Sequence, residues 1–215
     1  MVPYTSFTAH PEDLRWGLLA SSIADVLLRT SPFVVYHSFQ PNRLPGVDVA
    51  MLDHGSGDEV LCFFDARHGC LIKGFDHESD MSPHARDEFS VWPGLFDETP
   101  PELLAHLGGP DFRKDETTFC IWRRKEDRHW WQGDVVESEK GEWSSHLFQT
   151  HTFLDAEAYF DWASEYWRLN EPARGPLERI FGSCEVDTVT ALALNPNVEL
   201  ERARGELAEM GVTLT

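Results

Sequence analysis

A chain of 215 residues, 41% hydrophobic and 26% charged, has the composition of a folded domain, which excludes long disorder and leaves apolar side chain enough for a core without disulfides or metal. No run approaches ~18 consecutive apolar residues, so no transmembrane helix is predicted. The 37 acidic and 18 basic side chains give a net charge of −19, spread evenly (16 acids and 6 bases in 1–110, 21 and 12 in 111–215), a field that repels nucleic acid and anionic membranes and steers a basic protein partner inward.

The opening "MVPYTSFTAHPEDLRW" lacks a basic n-region and an apolar h-region, which predicts no secretory signal and a cytoplasmic location. "HPEDLRWGLLASSIADVLLR" then reads as a helix. Pro11 suits its first position, Glu12 and Asp13 suit its positive end, and Leu19, Ile23, Val26 and Leu27 form one buried stripe before Ser31-Pro32 stops it. "FVVYHSF" (33–39) is the first predicted strand, followed by a "PNRLPG" loop. "VDVAML" (47–52) and "EVLCFFD" (59–65) flank the Gly-rich turn "DHGSGD", and "ARHG" turns the chain into "CLIKGF" (70–75). These four strands predict a meander.

Residues 76–100 read as a long irregular loop containing Ser82-Pro83 and Trp92-Pro93-Gly94, and loops of that length are commonly functional. "PPELLAHLG" (100–108) is a short helix. "TTFCIWRR" and "HWWQGDVV" flank "KEDR" as a second hairpin, and "SSHLFQTH" adds a strand. "DAEAYFDWASEYWR" (155–168) is a helix capped by Asp155, with Tyr159, Ala163 and Tyr166 as its apolar row, widened by Phe160 and Trp167. "NEPARGP" (170–176) predicts a boundary between an α+β domain, 1–170, and a helical appendage, 171–215. In the latter, Asp187 and Asn197 cap the second and third helices and Gly211 ends the last. The fold class is therefore α+β: an antiparallel sheet, meander plus hairpin, with flanking helices and a small C-terminal helical module.

The densest polar stretch places Asp76, His77, Glu78, Asp80, His84, Asp87 and Glu88 after a strand end, where a rigid scaffold commonly presents binding residues. Asp76, His77, Glu78, His84 and Trp92 are the candidate ligand-binding residues. The bland reading is that Asp76, Ser79, Asp80 and Ser82 bond neighbouring amides and hold the loop, with Trp92 and Phe96 anchoring its far end. H-E-x-x-H and C-x-x-C are absent, so no metal is predicted. No G-x-S-x-G, P-loop or G-x-G-x-x-G occurs, so neither a catalytic residue nor a cofactor is assigned. Cys62, Cys70 and Cys120 sit in apolar strand runs and read as core thiols. "WRRKEDRHWW" mixes bases with tryptophans as single-strand-binding surfaces do, but its hairpin spacing and the surrounding charge argue against nucleic acid.

On the 155–168 helix, Glu157, Asp161 and Glu165 recur every four residues and form a single acidic ridge, the candidate partner-binding surface. With its acidity, aromatic richness and lack of a catalytic signature, the chain resembles in style the small acidic bacterial proteins of the domain-of-unknown-function type and the immunity proteins of toxin systems. The resemblance implies a non-catalytic module that binds a basic protein. The alternative is a small-molecule-binding protein or enzyme using the 76–97 loop.

Overall fold

The computed structural model describes residues 1–29, 36–53, 55–136 and 143–215, with only the backbone of 143–145 and 147. The chain divides into two compact units, Met1–Pro11 with Asn42–His151, and Glu12–Pro41 with Thr152–Thr215.

Among the described residues, seven strands form one sheet. They are β1 (Val2–Tyr4), β2 (His37–Leu44), β3 (Val47–Asp53), β4 (Glu59–Asp65), β5 (Gly69–Phe75), β6 (Phe119–Arg124) and β7 (Trp130–Gln132). Their order is β1-β7-β6-β5-β4-β3-β2, so the predicted meander and hairpin join edge to edge through an antiparallel β5–β6 pairing. β2 starts later than expected and runs through the predicted "PNRLPG" loop; residues 33–35 of that expectation lie outside the described residues. An edge strand tolerates Pro41, whose missing N–H weakens no inner ladder, and the bend falls at Asn42 with φ 51°. β1, too short to read from sequence, pairs with β7 through Pro3↔Trp131.

Every residue of β4 is buried, which is why "EVLCFFD" shows no alternation: a central strand covered on both faces reads as a continuous apolar run. One face carries Val47, Val49, Leu61, Phe63, Leu71, Cys120 and Trp122. The long segment after β5 packs over it through Met81 and Leu95, together with Leu103 of α2 (Pro101–Leu104), Leu107 and Phe112. The opposite face includes Phe119, which Phe148 of α3 (Trp143–Thr150) approaches at 6.2 Å between ring centroids. α3 replaces the strand expected from "SSHLFQTH". Burying Phe148 against Phe7 and Phe119 overrides the weak local preference.

The second unit holds α1 (Pro11–Leu28), α4 (Ala156–Tyr166), α5 (Arg174–Ser183), α6 (Thr188–Leu194) and α7 (Leu200–Glu209). Sequence periodicity suggests one buried stripe on α1, but every residue from Gly17 to Leu28 is buried. Its last carbonyls are satisfied from elsewhere: Asn195 donates to Leu27 O at 2.8 Å, and Arg202 donates to Val26 O and Arg29 O at 3.1 and 3.0 Å. Asp155 and Asp187 cap α4 and α6 as expected, accepting from Ala158 N and Thr190 N. The residue at the N-cap of α7 is Glu199, not Asn197, and it makes no side-chain cap bond. Tyr159 and Ala163 are buried, whereas Tyr166 is 43% exposed and lies flat on Trp162 at 4.8 Å.

Candidate functional site

The ladder between β4 and β5 pairs Glu59 with Phe75, so the residues just beyond, Asp58 and Asp76, leave the sheet side by side. Asp76 is held by its amide, which donates to Thr118 Oγ1 at 2.9 Å, and its Oδ1 accepts from Glu78 N at 2.9 Å. Asp58 Oδ1 accepts from His77 N at 2.8 Å and faces His77 Nδ1 at 2.6 Å. That hydrogen bond, with the negative charge of Asp58, raises the pKa of the exposed imidazole above its ordinary value. One ligand atom from each of Asp58, Asp76 and His77 lies within 4.8 Å of the others, so two carboxylates and an imidazole converge at the head of the loop.

Of the five residues expected to bind a ligand, the structure thus brings Asp76 and His77 together, with the highly exposed Glu78 4.0 Å from His77 Nε2. His84 and Trp92 have other partners. His84 Nε2 lies 3.4 Å from Glu116 Oε1, and its ring meets Phe75 and Phe89. Trp92 is half-buried, donates to Val136 O at 2.9 Å and takes the Arg86 guanidinium over its ring at 5.3 Å. The loop also makes the local bonds expected of it: Ser79 Oγ accepts from Met81 N and Ser82 Oγ from His84 N. Asp58 was not legible as a member, since only the strand register brings it to Asp76.

Three further polar clusters lie in or under the core. Lys73 points into the apolar face of the sheet, fully buried, and donates to Glu59 Oε1 at 3.1 Å, Phe112 O at 2.9 Å and Arg113 O at 3.1 Å. Burial lowers the pKa of its amine, partly offset by Glu59. Glu59 is shared with Arg113 at 2.7 Å, which reaches Glu116 at 3.1 Å. Asp65 Oδ2 faces both His68 Nδ1 at 2.8 Å and His106 Nε2 at 2.9 Å, while its Oδ1 accepts from the amides of Arg67 and His68. Burial pushes that carboxyl up, but these hydrogen bonds outweigh it and hold it below the usual range.

In the helical unit, buried Asp25 accepts from Tyr159 OH at 2.6 Å and His37 N at 2.8 Å, and it lies 2.9 Å from His37 Nδ1. Burial and the Asp25 charge raise the Tyr159 pKa well above its ordinary value. All three clusters saturate charged groups that burial would otherwise penalise.

Burial raises the Cys120 thiol to about 12 and the Cys184 thiol to about 11, which disfavours their thiolate forms. The tryptophans of "WRRKEDRHWW" offer little stacking surface, with Trp122 and Trp130 buried.

Glu157, Asp161 and Glu165 on α4 are all exposed. Asp161 lies 3.9 Å from Arg174, which pairs more closely with Glu171 at 3.0 Å and sits over the Phe160 ring at 3.9 Å. Among the described residues, Glu157 and Glu165 take part in no ion pair. Compared with known proteins, the chain matches no family model, no curated protein and no solved structure.

Proposed function

We propose that the protein is a non-catalytic, acidic protein-binding module of the immunity type, and that its negative surface engages a basic protein such as a toxin or nuclease. The observation that carries this reading is the α4 ridge, three exposed carboxylates at four-residue spacing on a chain of net charge −19. Each like-charge pair at that spacing costs the helix ~0.2–0.5 kcal/mol, and a basic partner converts the cost into attraction. The thiols held protonated and the saturated buried clusters support the non-catalytic side of the reading. The immobilised protein, challenged with source lysate at low and then high salt, is expected to retain a basic protein only at low salt. Retention must fall for Glu157→Lys/Glu165→Lys. If nothing basic is retained, or the double variant retains it equally, the reading fails.

The convergence of Asp58, Asp76 and His77 favours a second reading, a small-ligand site at the head of the 76–97 loop with a divalent cation as ligand. His77 would have to release its proton, so uptake should weaken as pH falls through its raised pKa. Equilibrium dialysis against manganese and zinc tests this. Uptake of about one equivalent, lost in Asp76→Asn, supports it, and no uptake removes it.

A further inference from the structure

We propose that a recess at the β1–β7 edge of the sheet binds a small monocarboxylate with a flat apolar body. This rests on neither functional reading above. The recess has a volume of about 120 Å³ and is bounded by the segment from Pro3 to Thr8 and by Arg128, His129 and Trp130. Apolar cavities of roughly 150 Å³ hold one benzene, so the space suits a single ring or a short branched chain.

The half-buried Tyr4 and Phe7 present the carbon of the recess, and Trp130, which also lines it, is itself buried. Trp130 has its indole N–H committed to Ala9 O at 2.9 Å and meets the Phe7 ring at 5.6 Å, and the Tyr4 hydroxyl accepts from Gln149 Nε2 at 2.8 Å. Arg128 and His129 are exposed, and among the described residues neither makes a hydrogen bond or ion pair. Arg43, Arg113, Arg174, Arg179 and Arg204 each have a carboxylate, whereas Arg67, Arg124 and Arg168, like Arg128, make no ion pair among the described residues; Arg128 differs from these in lining the recess.

The charge around the recess is mixed. The turn between β6 and β7 adjoins the turn between β4 and β5, where Lys125 donates from its amide to His68 O at 3.1 Å and from Nζ to Ala66 O at 2.8 Å. Arg67, Arg124, Lys125 and Arg128 stand at this end of the sheet together with Asp65, the exposed Glu126 and Asp127, while Asp53, Asp58 and Asp76 occupy the other end. The Asp127 carboxylate in the basic turn is used locally, accepting from Arg124 N at 3.2 Å. A guanidinium fork and an imidazole from two residues lining one recess suit one carboxylate, and the carbon of Tyr4 and Phe7 selects an apolar body over a fully hydrated anion such as phosphate.

The test follows the Trp130 indole resonance of the full chain by NMR while benzoate, benzyl alcohol or inorganic phosphate is added. Benzoate is expected to give a saturable shift, with benzyl alcohol at least about tenfold weaker and phosphate leaving the indole in place. Arg128→Ala/His129→Ala should weaken benzoate at least about tenfold with an unchanged melting temperature, since both side chains are exposed. A benzoate shift that does not saturate overturns the proposal. So does equal binding of the neutral alcohol, an equal phosphate response, or full affinity in the double variant.

Discussion

At the scale of single residues, the buried ionisable groups do structural work that can be measured. Lys73 ties the sheet to the Phe112–Arg113 turn through three acceptors. Lys73→Met is expected to cost about 2–4 kcal/mol in urea unfolding, because the buried Phe112 carbonyl, the part-buried Arg113 carbonyl and part of Glu59 lose their donor. A loss under about 0.5 kcal/mol would show those acceptors to be solvated. Asp65 gives a pH dependence of known sign. Its folded pKa lies below the unfolded value of roughly 3.9, so its stabilisation is complete above that pH and fades as pH falls through the folded value. Asp65→Asn should therefore be less stable than wild type at neutral pH, with the gap closing below about pH 4. A gap that stays constant with pH would mean that Asp65 is not the titrating group. These residues were legible only as oddities, a lysine inside "CLIKGF" and an aspartate inside "SSIADVLL". Sequence shows that an ionisable group sits in an apolar run but not which distant donors satisfy it. Lys73 finds its carbonyls 39 and 40 residues away, and Asp25 finds Tyr159 134 residues away.

At the scale of elements, the 76–97 segment is held at both ends and in the middle. Met81 and Leu95 lie in the core, and Gly94 backs onto the strand exit. A Cβ at Gly94, whose φ is +85°, would stand 2.1 Å from Asp134 O. Gly94→Ala is thus expected to cost more than about 2 kcal/mol and to speed amide exchange through 76–97, because neither backbone can yield without moving the loop. An unchanged exchange pattern would show that the loop is anchored by its apolar residues alone. The hairpins were readable because Gly-rich turns separate apolar runs. α3 was not, because "HLFQT" carries no strong preference and Phe148 is placed by packing. Within the candidate site, Asp76, His77 and Glu78 share one turn and were visible together. His84 and Trp92 follow the loop's path to Glu116 and Val136, which no local rule specifies.

At the scale of the whole molecule, charge is the dominant feature. Among the described residues no helix is long and apolar enough to cross a membrane. On the proposed reading the α4 ridge is the place where the charge of −19 would meet a partner, and it is cheap to alter. Glu157→Lys/Glu165→Lys replaces exposed, unpaired carboxylates and should shift stability by less than about 1 kcal/mol. Glu126→Lys/Glu209→Lys makes the same change in net charge at exposed positions that are not part of the ridge. The central claim is tested most directly by the association rate of the retained basic protein with wild type and both double variants across ionic strength. The ridge variant is expected to associate about tenfold more slowly than the control variant at low salt, with the difference vanishing at high salt and dissociation rates nearly equal. Equal association rates for the ridge and control variants would contradict the claim, leaving only the total charge at work.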